Sequence, residues 1–434
     1  MDIMSDNPNK SLQQIEVPQL YEKPFVPSKI EKIAMFISYP IAFLYTYVLL
    51  PSYNDGSQSV ITAIFTLLFC ASAELFYHKQ KATKESFIWL GSIVVLLVSM
   101  LLGRNQVWGN GLALFFIHCY AVYWLMSRSG RLMEKVSGPL APLDIINGYF
   151  VFPFKHFFLR IKVLWMTVTS GMKKRENRES GISAWIAVAV GLVLFFLAGS
   201  LLASADETFN RIVGDLLKYF NFEMFSEILI RFIVSIPVGA YLFGLVIGTG
   251  REDTSILRKK KDLILQKTDE LRKVPVKVWT IILTGFCTMY LVFFIIQGSY
   301  IFGAFTRTLP EGFTVAQYAR QGFFELCKIM ALNFLLLWIV IKSSKDDIRN
   351  YRFGMVMCSM ILIESILFSV TAFSKIILYI SCFGFTPLRI QSSWLVFVLF
   401  CGSVLAVYSL WTGKKSFRIW IFISGISLAL THLY

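Results

Sequence analysis

The chain has 434 residues, of which 56% are hydrophobic and only 16% charged, with a mean hydropathy of +0.62 and a formal net charge of +15. Soluble domains carry about 45–50% apolar and about 25% charged residues, so composition excludes an ordinary soluble domain. The positive charge does not mark a nucleic-acid binder, because its distribution along the chain follows a different logic, set out below.

Residues 1–30 are polar and contain Pro8, Pro18, Pro24 and Pro27. They lack the basic, apolar and small-residue regions of a signal peptide and read as a mobile cytoplasmic tail. Long apolar runs follow. A run of about 18 or more apolar residues reads as a membrane span, because about 20 helical residues cross the hydrocarbon core. The runs are continuous and do not alternate, which favours helices over a barrel. Spans are predicted near 33–50, 60–77, 87–102, 107–126, 182–203, 225–247, 278–298, 322–341, 353–373, 394–411 and 417–433. The fold class is therefore all-α: a polytopic integral membrane helix bundle of about eleven transmembrane helices.

Basic residues alternate by side between these spans. We count 33 Lys and Arg in the tail and the loops on one side, and 7 on the other. Cytoplasmic loops hold the Lys/Arg excess, so the N-terminus is expected in the cytoplasm and Tyr434 outside, in the cytoplasmic (plasma) membrane. The bilayer is the first partner implied, and nucleic acid is not one.

Four units are expected: the tail 1–30, a four-span bundle 31–126, a basic cytoplasmic loop 127–180, and a seven-span bundle 181–434. Within the loop, 142–168 is apolar but carries Lys155, His156, Arg160 and Lys162 and is interrupted by Pro153. Such a segment fits an interfacial or re-entrant position, its cations at anionic headgroups. Ser204 and Glu207 match a capping box that opens an amphipathic helix over 209–220, lying on the outer face. In the sixth span Ala240, Gly244 and Gly248 repeat a small residue every fourth position, which permits close packing. The basic loop 251–277 has Leu257, Ile264 and Leu271 at heptad spacing among polar positions, a pattern for a solvated helix below the membrane. Thr314 and Gln317 form a second capping box, opening a helix that runs into the eighth span.

Seven cysteines (70, 119, 287, 327, 358, 382 and 401) lie in or at the ends of spans without any C-x-x-C spacing, and read as free thiols. No phosphate-binding loop, H-E-x-x-H, G-x-S-x-G or dinucleotide fingerprint occurs. The sequence therefore implies no catalytic residues, no cofactor and no metal site. His118 stands mid-span and reads as a hydrogen-bonded core histidine; Glu74 lies at a span end.

Ionisable residues within spans are costly and form the functional shortlist. Arg231 is in the sixth span, Glu325 and Lys328 are in the eighth, and Glu364 is mid-way along the ninth. Gln317, Gln321, Glu325 and Lys328 share one helical face, expected to point at protein or water. With Arg320, Lys375 and Arg389 at the outer boundary, these residues could line an outward-facing vestibule for an anionic or lipid-linked ligand. The alternative is that Glu325–Lys328 and Arg231–Glu364 are structural ion pairs.

Three outer motifs, Ser204-Ala-Asp-Glu-Thr-Phe209, Tyr318-Ala-Arg-Gln-Gly-Phe-Phe-Glu-Leu326 and Gly384-Phe-Thr-Pro-Leu-Arg-Ile390, resemble signatures of a bacterial multi-pass family, domain of unknown function 4153/4173. The resemblance covers roughly 142–411 and implies a membrane location and an outward-looking working face, without an activity. It also implies a short polar tail beyond the last span, whereas the sequence stops at Tyr434. Independently of that resemblance, Gly384 and Pro387 mark a helix break, since Pro cannot donate a backbone hydrogen bond. Two functional classes follow: binding or transport of an anionic or lipid-linked substrate, and a non-transporting scaffold or sensory accessory acting through a membrane or cytoplasmic protein partner.

Overall fold

Nine helices among the described residues are long and apolar enough to cross a membrane, and all regular structure there is helical apart from an isolated bridge between Val274 and Ser344. The computed structural model describes residues 25–51, 57–104, 107–173, 181–206, 208, 211–212, 222–306, 312, 314–320 and 322–434. The N-terminal tail expected over 1–30 and the outer helix expected over 209–220 lie largely outside the described residues.

The first four helices are α1 (Lys29–Leu49), α2 (Gln58–Tyr77), α3 (Lys84–Leu101) and α4 (Gly109–Arg128). The interfacial segment is broken into α5 (Ala141–Ile146), a π-turn (Asn147–Val151), α6 (Phe152–Lys155) and α7 (Leu159–Lys173). Then come α8 (Gly181–Ala205) and α9 (Phe222–Phe243), the latter prolonged by a π-turn at Gly244–Gly248 and a last turn, Thr249–Arg251. The basic loop forms α10 (Thr254–Asp269), as its pattern predicts. The remainder is α11 (Val276–Thr306), α12 (Val315–Arg320), α13 (Phe323–Ser343), α14 (Arg352–Phe383), α15 (Pro387–Thr412) and α16 (Phe417–Thr431). The nine long candidates exclude α8 and α16, whose apolar stretches are shorter.

Local chemistry explains several ends. Ser28 caps α1 in a full capping box: Ser28 N–H donates to Glu31 at 2.7 Å and Glu31 N–H to the Ser28 hydroxyl at 3.2 Å. The Thr314–Gln317 box forms as expected, with Thr314 N–H donating to Gln317 Oε1 at 3.1 Å. The helix it opens does not run on unbroken, because Gly322 takes φ +76° and separates α12 from α13. Gly384, at φ +73°, ends α14 and Pro387 starts α15. The Ser204 box lies partly outside the described residues, since Glu207 is not among them. Ser204 lies in the last turn of α8, its hydroxyl donating back to Ser200 O at 2.9 Å, while Asp206 accepts Thr208 N–H at 2.7 Å.

Two apolar cores result. One joins α1–α4, the broken segment, α9 with its π-turn, and the end of α16; the other joins α11, α13, α14 and α15. The four-span N-terminal unit thus gains α9 and α16 from later in the chain. Exposed apolar side chains such as Ile281 (73%), Ile295 (80%) and Phe195 (72%) stud the outside of the helices, a surface suited to lipid and not to water.

Candidate functional site

A partly enclosed space lies in the first core, among α1, α2 and α4, bounded by the π-turn of the broken segment and by α9. It is a cavity of about 190 Å³. Its wall is mainly apolar, with Phe65, Phe69, Phe115 and Leu242, and its polar groups are Tyr45, Tyr149 and His118 together with Thr62 and Thr66, whose hydroxyls donate to carbonyls of their own helix. His118 Nδ1 lies 3.3 Å from the Tyr45 hydroxyl and Nε2 lies 3.2 Å from the Tyr241 hydroxyl, which itself donates to Tyr149 O at 3.1 Å. His118 is thus the hydrogen-bonded core histidine expected, and it also forms part of a cavity wall. Sequence reasoning missed the tyrosines because their partners come from four separate segments.

Of the shortlisted ionisable residues, Arg231 alone adjoins this cavity. Its guanidinium donates to Glu227 at 3.0 and 2.5 Å and to Thr46 O at 3.1 Å, and lies 4.0 Å from the centre of the Tyr47 ring. Thr46 and Tyr47 sit between the cavity-lining Tyr45 and Val48. Arg231 does not pair with Glu364: its guanidinium is on Glu227, and neither oxygen of Glu364 has a hydrogen-bond partner among the described residues.

In the second bundle the expected stripe on α13 divides. Glu325 and Lys328 are exposed, turned away from the core, and no ion pair joins them among the described residues. They sit one turn apart on the outer surface of α13, where long side chains can reach the interface, so of the two surroundings expected for this face, protein or water, the structure does not place protein against these two residues. Gln321 and the Arg320 side chain lie outside the described atoms. Lys375 is buried near the end of α14, 4.7 Å from the centre of the Tyr318 ring and within electrostatic reach of Glu325. Arg389 donates to Phe383 O at 2.8 Å and to Gly384 O, covers the Tyr379 ring at 4.0 Å, and so caps the end of α14. The shortlisted residues therefore do not converge on a single vestibule.

The cations of the broken segment are also placed differently from expectation. Lys155 and His156 both bind Glu252, at 2.7 Å each, and Arg160 is buried, 3.6 Å from the centre of the Tyr39 ring. Burial pushes the Glu252 carboxyl up, but the hydrogen bonds from Lys155 and His156 outweigh it and hold the group below the usual glutamate value. Similar pairs join Glu31 to Arg251 at 2.5 Å, Glu74 to Arg128 at 2.8 Å and Glu85 to Arg418 at 2.5 Å. These pairs bind helix ends to one another at one end of the bundle. All seven cysteines are free thiols, four of them buried, and no His/Cys/Asp/Glu cluster among the described residues has metal-binding geometry.

Long apolar helices, an apolar exterior and polar groups gathered inside define a multi-pass membrane protein of the α-helical class. Within that class the chain belongs to the family described as Domain of unknown function (DUF4153), whose sequence profile matches residues 90–434. That span takes in all three outer motifs, α4, and every helix from α5 to α16. No curated protein matches the chain, and no solved structure does.

Proposed function

We propose that this protein binds an anionic or lipid-linked amphiphile in the cavity of its first bundle and moves it across the cytoplasmic membrane of a bacterium. In this reading eleven helices span the bilayer, with the N-terminus in the cytoplasm and Tyr434 outside. The cavity then lies in the outer half of the bundle, since it is lined by the later part of α1 and the earlier parts of α2 and α4.

The observation that carries the reading is the cavity's size and lining. Pockets that enclose a whole drug-sized ligand measure about 300–1,000 Å³. A space of about 190 Å³ accepts part of a molecule, and an apolar wall beside exposed Leu49 and Phe115 lets the rest stay in lipid. Tyr45, His118 and Tyr149 supply the few polar contacts that orient a ligand, and Arg231 supplies positive charge a turn away. The vestibule expected from Lys328, Glu325 and Arg389 is thereby relocated: Arg231 becomes its principal cation.

Native mass spectrometry of the gently extracted protein tests this, wild type beside Ala121→Trp, which puts an indole into the cavity. A lipid-like adduct held by the wild type and lost from the variant supports the proposal. An adduct held equally by both overturns it. The accessory reading has its own support in α10, whose exposed Ile256, Leu263 and Leu265 lie among Arg258, Lys259, Lys260 and Lys261. The same spectrum reads that alternative, as a stoichiometric protein partner with no amphiphile bound.

A further inference from the structure

The second bundle holds a group that the cavity does not use. Glu364 lies mid-way along α14, 2% exposed, and both of its carboxyl oxygens are buried without a hydrogen-bond partner. Its neighbours make the omission informative. Tyr290 on α11 donates to Asn333 Oδ1 at 2.8 Å, and Asn333 on α13 donates to Ser365 Oγ at 2.9 Å. Along α14 the hydroxyls of Ser365, Ser369, Thr371 and Ser374 all donate to carbonyls within their own helix. Every hydroxyl and amide in this polar column is therefore satisfied, and the one acid among them is not.

An ionised carboxylate in such a place has neither a donor nor a counter-ion among the described residues, and the free-energy cost of burying it that way far exceeds that of burying the neutral acid. The titratable groups within electrostatic reach of Glu364 are the Cys287 thiol and the Tyr290 phenol of α11, neither of them a cation. Three described cations of this bundle are occupied elsewhere or face outward: Lys375 against Tyr318, Arg389 on the carbonyls ending α14, Lys328 on the exterior of α13. A merely structural acid at this depth would be expected to join the Tyr290–Asn333–Ser365 chain, which passes through the residue next to it.

We propose that Glu364 is an intramembrane proton-binding site, neutral while enclosed in the second bundle and exchanging its proton when the bundle admits water. The ligand is a proton, and the function it implies is proton coupling of whatever movement the first bundle carries out. The proton site stands independently of the cavity, which lies in the other core, while the coupling rests on the movement proposed for that cavity.

Infrared difference spectroscopy of the full chain in lipid, wild type minus Glu364→Gln, reads the acid directly. The expected result is one protonated carboxyl C=O band at neutral pH, present in wild type and lost in the variant, and replaced by carboxylate bands as the pH is raised. Carboxylate bands alone at neutral pH overturn the proposal, as does a carboxyl band that persists at every pH at which the protein stays folded. Glu364→Asp keeps the acid and must shift the band without removing it, which decides the matter where the glutamine variant does not fold. Other acids, Asp144 included, are common to both proteins and subtract out.

Discussion

Asp144 shows how a single side chain sets a pH dependence. It sits in α5, 1% exposed, with Oδ1 accepting the Met133 N–H at 3.0 Å. Burial pushes its carboxyl up to about 7; the Met133 hydrogen bond opposes this and the charge of Glu134 adds to it. An unfolded aspartate ionises near 3.9. Between that value and about 7 the folded chain holds a proton that the unfolded chain has lost, so stability falls as pH rises through this window and levels off above it. Asp144→Asn, which keeps the acceptor and has no proton to lose, should therefore stabilise the protein at pH 8 by something on the order of 1–4 kcal/mol. The gain should shrink toward pH 5. Thermal unfolding of both proteins in detergent across pH 5–8 checks it, and a difference that stays constant with pH would refute it. None of this is visible in the sequence around Asp144, because the enclosing side chains come from elements it meets only on folding. The same holds for Glu252: its partners Lys155 and His156 precede it by about a hundred positions, so they looked like free interfacial cations.

At the scale of elements, periodic and local signals survived into the structure, and signals that depend on a partner did not. The small residues of α9 were legible as a packing face, but their partner was not. It is the broken segment: a Cβ on Gly244 would lie 2.6 Å from Pro153 O, and one on Gly248 would lie 2.5 Å from His156 Cβ. An Arg160 nitrogen lies 2.1 Å from where a Cβ on Gly239 would stand. The α9 glycines thus seat α6 and α7 directly on the helix, and the π-turn at Gly244–Gly248 forms at this contact. Gly244→Ala must displace backbone and not a flexible side chain, and should cost about 1–3 kcal/mol, the usual penalty of overpacking. Gly285→Ala, with nothing within 4 Å of the added Cβ, should be neutral or mildly stabilising. A comparison of melting temperatures checks the pair; equal effects would mean that the seat is looser than the distances imply. Capping boxes behave in the same way. Ser28–Glu31 and Thr314–Gln317 need only four consecutive residues, and both form.

Over the whole molecule, contacts between helix ends determine which ends share a face, independently of the charge count. Glu31 at the start of α1 binds Arg251 at the end of α9, and Arg131 just after α4 donates to Thr249 O at 3.2 Å and Gly250 O at 2.8 Å. The ends of α4 and α9 therefore lie at one face, with the start of α1. Since α9 runs toward that face, the topology proposed above has the chain first cross away from it, in α8. At the other end of the chain, Arg418 binds Glu85 at the start of α3, while Thr431 accepts Trp108 Nε1 at 2.9 Å beside the start of α4. Those two contacts stretch α16, short as it is, from one face to the other. With α8 and α16 counted, the proposed topology has eleven crossings, of which α14 is the ninth, ending opposite the basic loops. Without α8 it would be the eighth, and nine Lys and Arg between 251 and 277 would stand outside, against the positive-inside rule. Cys382, the exposed thiol among the seven cysteines, sits at that end of α14 and separates the two counts. With the N-terminus in the cytoplasm, a membrane-impermeant maleimide added to intact cells should label the wild-type protein and fail to label Cys382→Ser. Labelling that appears only in inverted vesicles would place the end of α14 in the cytoplasm. It would remove the outward orientation of the cavity, and with it the direction from which a substrate enters.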